Sequence, residues 1–303
     1  MLTSTVTFEH LSPAQRQIVF DKRFSGSASV EELQSLFGPL ARFDAVGDRS
    51  RTRTMRVGVG AAVATFITGF ICLFTQAELV FAAFPAGAAA LGIGAAIRHR
   101  RLKRRDLSNN LGTVVVPLLN VFREDVDPKK PLVLDLDLRR ADLPEKLLRE
   151  DPAYGMGPYH KVIDRHYQDG WMTGRAAFAD GARLGWSVVD QICERRKTKR
   201  NPRGKYKTKT QYRKRSVVTV TLSLPTDAYA IATPKVAGDA NRLRVRVSNT
   251  GDTNGENGWR VIKLARTFKA RSLEPMDPVH LLDLVAEGYR LVSATNSGKM
   301  SAR

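Results

Sequence analysis

Two groups of polar residues have the types and spacing to do chemistry. Asp135 and Asp137 form an Asp-x-Asp pattern, which is typical of metal and nucleotide-sugar sites. His160, Asp164 and His166 would project from one face of a strand, and zinc accepts both imidazole and carboxylate ligands. An enzyme acting at a membrane would rely on one of these groups. Alternation along a strand produces the Asp-x-Asp pattern without any function, and a lone histidine and aspartate cluster is more often ordinary surface. We therefore predict no catalytic residue, no metal site and no cofactor.

A stretch rich in Gly, Asp and Asn at residues 250–258 superficially resembles a calcium-binding loop. Its glycines do not fit the EF-hand spacing, and the stretch joins two predicted strands. A hairpin turn therefore explains it better than calcium binding does. The chain also has no phosphate-binding Gly-Lys loop, no Cys-x-x-Cys pair and no nucleophile elbow. The sequence thus favours a non-enzymatic function.

The most suggestive surface feature is the segment 195–215, which holds twelve basic residues and no acidic one. Its centre, Asn201-Pro202-Arg203-Gly204, has Pro second and Gly fourth, as a type I turn prefers, so the flanking strands should form a long hairpin. Alternation places much of the charge on one face. The residues predicted to bind anionic lipid or another polyanion are Arg195, Arg196, Lys197, Lys199, Arg200, Arg203, Lys205, Lys207, Lys209, Arg213, Lys214 and Arg215.

Three interpretations of this basic hairpin stay open. It could lie against anionic lipid headgroups, where each basic residue contributes about 1 kcal/mol. It could contact the phosphates of nucleic acid. It could also be a solvated hairpin whose charge only blocks edge-to-edge pairing. We favour lipid over nucleic acid, because the uncharged segments described next would hold the domain at a bilayer.

Two uncharged stretches, 57–77 and 79–97, are separated only by Glu78. A spanning helix needs roughly 20 predominantly apolar residues, so each stretch is long enough to cross a bilayer. The pattern predicts a transmembrane helical hairpin. The alternative is a helical hairpin buried within the protein, because both stretches are rich in Ala and Gly and only moderately apolar.

Basic residues flank the two stretches, and the connection between them has none. Lysine and arginine stay on the cytoplasmic side during insertion, so both termini should be cytoplasmic, in an integral protein of a bacterial inner membrane. The flanking residues are Arg49, Arg51, Arg53, Arg56, Arg98, Arg100, Arg101, Lys103, Arg104 and Arg105.

Small residues recur at helical spacing inside both stretches, and they would let helices approach closely. We expect them to pack the two helices of one hairpin together, with a homo-oligomer as the alternative. A membrane-perturbing effector assembled through the same faces is a lesser alternative. The small residues are Ala61, Thr65 and Gly69 on the first stretch and Ala88, Gly92 and Ala96 on the second.

Capping-box patterns predict two short helices before the uncharged stretches, one with Ser12 and Gln15 and one with Ser29 and Glu32. After the uncharged stretches, the segment 113–124 is ambiguous, because its run of valines favours a strand whereas Pro117 and the apolar spacing that follows favour a helix, which we predict. A last helix is indicated by Asp277 as its cap. Between these helices, period-two alternation predicts strands at 132–138, 160–168, 187–200, 205–224, 243–248 and 259–267.

The predicted fold is membrane-anchored α+β, with a two-helix transmembrane hairpin followed by a predominantly antiparallel, sandwich-like cytoplasmic β domain with flanking helices. Two cysteines, Cys72 and Cys193, cannot form a disulfide framework, so we expect reduced thiols. The predicted function is an interaction module that presents a basic hairpin to a protein partner or the anionic membrane face. The predicted segments are 1–50, 51–105, 106–292 and a flexible tail at 293–303.

Overall fold

The chain divides into two compact units in the computed structural model, which describes residues 7–75, 79–231, 243–250 and 258–294. One unit, the helical unit, consists of residues 1–21 and 37–107. The other, the β-rich unit, consists of residues 22–36 and 108–303. The first short segment of the β-rich unit therefore lies between two pieces of the helical unit along the chain.

Within the described residues, the helices are α1 (Pro13–Asp21), α2 (Val30–Thr75), α3 (Leu79–Arg104), α4 (Val116–Asp125) and α5 (Val279–Arg290). A π-helical turn, Leu111–Val115, leads into α4. The strands are β1 (Arg23–Ala28), β2 (Leu132–Asp137), β3 (Leu147–Glu150), β4 (Tyr154–Met156), β5 (Tyr159–Ala177), β6 (Arg183–Arg200), β7 (Tyr206–Pro225), β8 (Tyr229–Ile231), β9 (Leu243–Thr250), β10 (Trp259–Ala270) and β11 (Val292–Ala294).

One antiparallel sheet of nine strands dominates the β-rich unit. Seven strands follow the order β1-β2-β5-β6-β7-β10-β9, and β3 and β4 both pair with β5. Strands β8 and β11 form a separate two-stranded sheet. Each strand predicted from alternation coincides with an observed strand, so the antiparallel β character is confirmed. The sandwich-like arrangement is wrong, because the predicted strands all join the same sheet.

Alternation explains which side of this sheet is buried. On β2, Leu132, Leu134 and Leu136 are buried, whereas Val133 and Asp135 are exposed. Helix α5 packs against β7 and β10 and buries one of its faces there. The helix approaches closely because one buried position is glycine: a Cβ added at 288 would lie 2.2 Å from the Cδ1 of the leucine at 222.

The predicted capping boxes are confirmed at both positions. The Ser12 amide donates to Gln15 Oε1 at 2.9 Å, and the Gln15 amide donates to Ser12 Oγ at 3.3 Å. The Ser29 amide donates to Glu32 Oε2 at 2.9 Å, and the Glu32 amide donates to Ser29 Oγ at 3.2 Å. The second helix is not short as predicted, because α2 continues to Thr75.

Along the chain, strand β1 follows α1 and precedes α2, and it was not predicted. Its sequence, Arg23–Ala28, is short and rich in Ser and Gly, so it carries no alternating apolar signal. It forms because its backbone pairs with β2, with Ser25 opposite Asp135. Helix α4 confirms the helix predicted at 113–124. The last helix begins two residues after its predicted cap, and the Asp277 carboxylate accepts a hydrogen bond from the Val279 amide at 3.0 Å.

Small residues let α2 and α3 approach closely within the helical unit. A Cβ added at Gly92 would lie 3.9 Å from the Ala61 Cβ, and one added at Gly58 would lie 3.5 Å from the Ala95 Cβ. This is the packing expected for the two helices of one hairpin. The surroundings of Gly69 and of the Ala88 side chain are not described, and the homo-oligomer stays a prediction.

The transmembrane hairpin predicted at 57–77 and 79–97 is wrong. Among the residues that the structure describes, no helix combines the length and the apolarity that crossing a membrane requires. The prediction relied on the absence of charge, but Ala, Gly and Thr make up much of both stretches and contribute little apolar surface. The assignments that depended on the hairpin are wrong with it: a membrane-anchored fold, an integral protein of a bacterial inner membrane and cytoplasmic termini placed by the basic flanks.

Candidate functional site: a basic ribbon and an arginine cavity

The long hairpin predicted around residue 202 is present as β6 and β7, which pair from Arg183 opposite Ser223 to Arg200 opposite Tyr206. A tight turn closes it. The Gly204 amide donates to the Asn201 carbonyl at 2.9 Å, and Gly204 has a φ of 77°, a left-handed conformation that glycine adopts without strain. We call the outer part of this hairpin, residues 196–210, the basic ribbon.

Lysines face each other directly across one face of the basic ribbon. Lys197 is paired with Lys209, and Lys199 is paired with Lys207. Like charges directly opposite one another on a sheet are destabilising. Within the described part of the chain, none of the four ammonium groups has a carboxylate within 4 Å, although Lys197 Nζ lies 5.4 Å from the ring centre of Tyr159. This face therefore concentrates positive charge without a described counter-charge.

The opposite face of the basic ribbon is also basic, with hydroxyl groups between the charges. Arg196 is paired with Thr210, and Arg200 is paired with Tyr206, whose side chain is 66% exposed. Between them, the Thr198 and Thr208 hydroxyls lie 3.2 Å apart. Arg203 and Lys205 lie in and beside the turn. The outer end of the hairpin thus presents cations on both faces.

Strand β10 does not extend along the basic ribbon. Its pairing with β7 reaches only as far as Ala270 opposite Lys214, so the described strands leave the 206–213 edge of β7 unpaired on that side. An unpaired edge can template pairing with another chain, and lysines along it discourage this. The interpretation of the charge as edge protection therefore stays open.

Lys214, one of the predicted binding residues, is not on the surface. It is 3% exposed, because its position in the alternation turns it to the buried face of β7. Its ammonium group donates to the Glu274 carbonyl and lies 3.5 Å from Asp190 Oδ2, and the Ser216 hydroxyl donates to Asp190 Oδ1 at 2.6 Å. Lys214 therefore belongs to a buried polar cluster.

The remaining predicted cations gather at a cavity of about 570 Å³, on the face that carries the lysine pairs. Four arginines line this arginine cavity, one from each of β3 and β6 and two from β7. They are Arg149, Arg195, Arg213 and Arg215. The cavity joins residues that are far apart in sequence, and Arg149 was not predicted as part of any site.

Arg195 is held in place by a buried carboxylate. Its Nε donates to Asp164 Oδ1 at 2.8 Å and its Nη2 donates to Asp164 Oδ2 at 2.5 Å, while the Tyr154 hydroxyl donates to the same carboxylate at 3.2 Å. The hydrogen bonds from Arg195 lower the pKa of Asp164 and raise the pKa of Arg195. Both groups are therefore charged at neutral pH, and Asp164 positions Arg195.

Of the predicted histidine and aspartate group, Asp164 and His166 both line the arginine cavity, whereas His160 does not. His160 is exposed and its ring lies 5.2 Å from the ring of Tyr206, whereas His166 Nε2 lies 2.9 Å from Asp151 Oδ2. Cys193 lies opposite His166 in the strand register, an arrangement that the sequence did not indicate. Burial above all raises the pKa of the Cys193 thiol, so it is protonated at neutral pH and a weak nucleophile.

The Asp-x-Asp pair lies on the polar face of β2, as predicted. Asp135 is exposed, and the Thr173 hydroxyl lies 3.5 Å from its carboxylate. Arg139 donates to both oxygens of Asp137, at 2.9 and 2.7 Å. Burial would raise the pKa of Asp137, but the hydrogen bonds from Arg139 and the nearby charge of Lys146 outweigh it and hold the pKa at about 2. Asp137 therefore takes part in a structural ion-pair network.

A close group of potential metal ligands occurs in the helical unit, beside Arg51 of the predicted membrane flank. The carboxylates of Asp44, Asp48 and Asp106 all lie within 4.8 Å of one another, and Arg51 pairs with the last two. Asp44 accepts a hydrogen bond from the Leu107 amide at 2.9 Å, and burial is the main reason why its pKa rises to about 7. The stretch 250–258, predicted to form a hairpin turn, lies mostly outside the described residues.

Two residues of the basic flanks have partners inside the helical unit. Arg51 pairs with Asp48 and Asp106, and the guanidinium of Arg105 lies 4.1 Å from the ring centre of Phe8. These contacts give part of the flanking charge a structural role.

Fold and geometry together define an antiparallel β-rich protein with helices and a long basic hairpin. No protein family, no characterised protein and no solved structure gives a significant match to this chain. Its function must therefore be argued from the geometry of the basic ribbon and the arginine cavity.

Proposed function

We propose that this chain is a non-enzymatic binding module whose basic ribbon docks against an extended polyanion. The observation that carries the proposal is the pairing of Lys197 with Lys209 and of Lys199 with Lys207, with no described counter-charge. Such pairs cost stability in the free protein. Phosphate groups of a bound polyanion would neutralise the lysines and release condensed counterions, which favours binding.

Nucleic acid suits the ribbon better than a flat anionic surface does. The preference for lipid relied on the predicted transmembrane hairpin, and no described helix is long and apolar enough to cross a membrane. A planar membrane meets one face of a ribbon, whereas cations lie on both faces here, with Lys197 on one and Arg196 on the other. A two-stranded ribbon also fits the major groove of duplex DNA. Anionic lipid and an acidic protein partner are the alternatives that the experiment must exclude.

The polar residues between the cations support the same choice. Threonine hydroxyls at 198, 208 and 210 can donate to phosphate oxygens, as hydroxyls often do at nucleic-acid interfaces. Tyr206 is largely exposed at the outer end, where an aromatic ring can stack on an unpaired base. A hairpin charged only to protect its edge would not need these groups.

The test measures binding of the full chain to a fluorescein-labelled 20-base-pair duplex by anisotropy at several salt concentrations. We expect affinity to fall as salt rises, with a slope that decreases by about 2 in the double variant Lys207→Gln, Lys209→Gln, since each phosphate contact contributes about 0.9. The matched control is Lys129→Gln, Lys269→Gln, which removes two exposed lysines away from the ribbon.

Two results would contradict this proposal. One is an equal loss of affinity in the control variant, which would mean that only net charge matters. The other is binding to vesicles containing phosphatidylglycerol, or to polyglutamate, but not to the duplex. In that case the ribbon serves a membrane face or an acidic protein partner instead.

A further inference from the structure

We propose that the arginine cavity is a separate binding site for a small molecule that carries a phosphate monoester. The site is distinct from the basic ribbon, because it uses other side chains and forms a concave depression in the sheet surface. Its volume of about 570 Å³ falls in the range of small-molecule pockets. The inference does not depend on the proposed polyanion binding.

The strand register builds the cationic wall of this site. Arg213 lies opposite Cys193, and Arg215 lies opposite Gln191, so each arginine faces a neutral partner on β6. The two arginines are two positions apart on β7 and share a face, roughly 7 Å apart along the strand. A phosphate group is large enough to be contacted by both guanidinium forks from this spacing.

Carboxylates near the cavity are already occupied. Asp164 is bonded by Arg195 and Tyr154, and Asp151 is bonded by His166 at 2.9 Å and by Arg149 at 3.3 Å. Across the described ranges, Arg213 and Arg215 have no carboxylate within 4 Å. The positive charge of these two side chains is therefore available to a ligand.

Arg195 adds a donor whose position is fixed. Its Nε and Nη2 are used by Asp164, which is 5% exposed, and the described contacts leave Nη1 without a protein acceptor. A guanidinium anchored in this way loses little freedom when it binds a phosphate oxygen. The exposed Leu148 side chain adds an apolar group to the lining and can contact the organic part of the ligand.

A dianionic phosphate monoester fits this donor set best. Arginine recognises phosphate through two parallel charge-assisted hydrogen bonds, and several forks together favour a doubly charged group over a singly charged one. The protonated Cys193 thiol adds no charge to oppose the ligand. Recognition of the phosphate requires no bond to form or break, so we assign the site a binding role and not a catalytic one.

The test titrates phenyl phosphate into the full chain by calorimetry and repeats the titration with two double variants. Arg213→Gln, Arg215→Gln should weaken binding by at least about tenfold, because it removes several charge-assisted hydrogen bonds. Lys207→Gln, Lys209→Gln changes the same strand, face and charge outside the cavity and should change the affinity by less than about twofold. Arg213→Lys, Arg215→Lys should weaken the binding of phenyl phosphate by an intermediate factor. It keeps both positive charges but loses the planar guanidinium groups that bind phosphate through two parallel hydrogen bonds.

The outcomes separate this inference from the proposed function. No binding of phenyl phosphate to the unaltered chain at millimolar concentration overturns the inference. An equal loss in the lysine and arginine variants also overturns it, because the binding would then be diffuse. Duplex binding that depends on the lysines, with phenyl phosphate binding that depends on the arginines, supports both proposals. Thermal unfolding of each variant confirms that it folds.

Discussion

The inner and outer halves of the β6–β7 hairpin share one continuous register but differ in what their alternating side chains contact. In the inner half, Val188 faces Val218, and Val220 and Leu222 are fully buried. This half has neighbours on both sides, β5 and β10, and α5 covers one face. In the outer half, lysines face lysines and no described strand lies beyond β7. The same alternation thus builds a core in one half and a binding surface in the other.

A band of buried polar groups separates the two halves. It contains Asp190 with Ser216 and Lys214, and Asp169 with Lys146, whose ammonium group lies 2.7 Å from that carboxylate. Asp169 and Asp190 are each 4% exposed. A buried charge is tolerated when it is paired and hydrogen-bonded. Paired charges therefore mark the change from apolar to charged side chains along the hairpin. The buried band, the core of the inner half and the ribbon of the outer half can each be altered separately to test the comparison.

The largest expected effect is at the buried band. Replacing Lys214 with Met should lower the free energy of unfolding by roughly 3 to 5 kcal/mol, because it leaves the Asp190 carboxylate buried without its cation. Urea unfolding measures the change. Adding Asp190→Asn to Lys214→Met should recover much of the loss. Failure of that second change to recover stability would mean that packing, not charge, holds the band together.

Truncation of a core side chain should cause the next largest loss of unfolding free energy. It should also distinguish the inner half of the hairpin from the outer half. Leu222→Ala should cost about 2 to 5 kcal/mol of unfolding free energy, because the side chain is fully buried under α5 and leaves a cavity. Lys209→Ala, an exposed change on the same strand, should stay within about 0.5 kcal/mol. Chemical denaturation of both variants checks this contrast, and a comparable cost for the two would refute it.

Two carboxylates of β5 should respond to pH in opposite directions. Arg195 lowers the pKa of Asp164, so the stability that Asp164 contributes is present above its unfolded pKa, about 4, and is lost as pH falls. Burial raises the pKa of Asp169 despite Lys146, so its contribution is present at low pH and is lost as pH rises through the folded pKa.

Unfolding free energies measured from about pH 2 to pH 8 test these signs, in a range that covers the usual carboxyl pKa values. Asp164→Asn should flatten the acidic side of the profile, and Asp169→Asn should flatten the decline at higher pH. The exposed Asp135→Asn is the control and should leave the profile unchanged. A profile altered equally by all three substitutions would contradict the assignment.

The smallest effect concerns the ribbon, where stability and binding should change in opposite directions. Lys209→Glu converts the pair with Lys197 from like to opposite charge and should raise the unfolding free energy by about 0.2 to 1 kcal/mol. The same change should weaken duplex binding. Lys209→Gln should give values between those of the unaltered chain and Lys209→Glu, both for the unfolding free energy and for the affinity for the duplex. A variant that loses stability would show that the lysine pairs do not repel each other in the free protein.

The sequence by itself determined the local structure wherever the signal was periodic or capped. The leucines of β2 alternate in the chain and are buried alternately in the sheet, and both capping boxes form as predicted. The turn at Asn201 and Gly204 follows from its residue types, because glycine accepts the conformation that the turn requires. These features depend on near neighbours, so one sequence is enough to predict them.

Tertiary structure alone decided which charges are free and which uncharged segments meet. Lys214 and Lys209 look alike in the sequence, yet one is buried beside Asp190 and the other faces Lys197 in the open. Strand β1 has no pattern of its own and exists only because β2 pairs with it. The error over the transmembrane hairpin has a related origin, because the absence of charge in a segment does not establish its surroundings. Contacts with residues distant in sequence decide burial and strand pairing. The residues of one segment alone do not reveal those contacts.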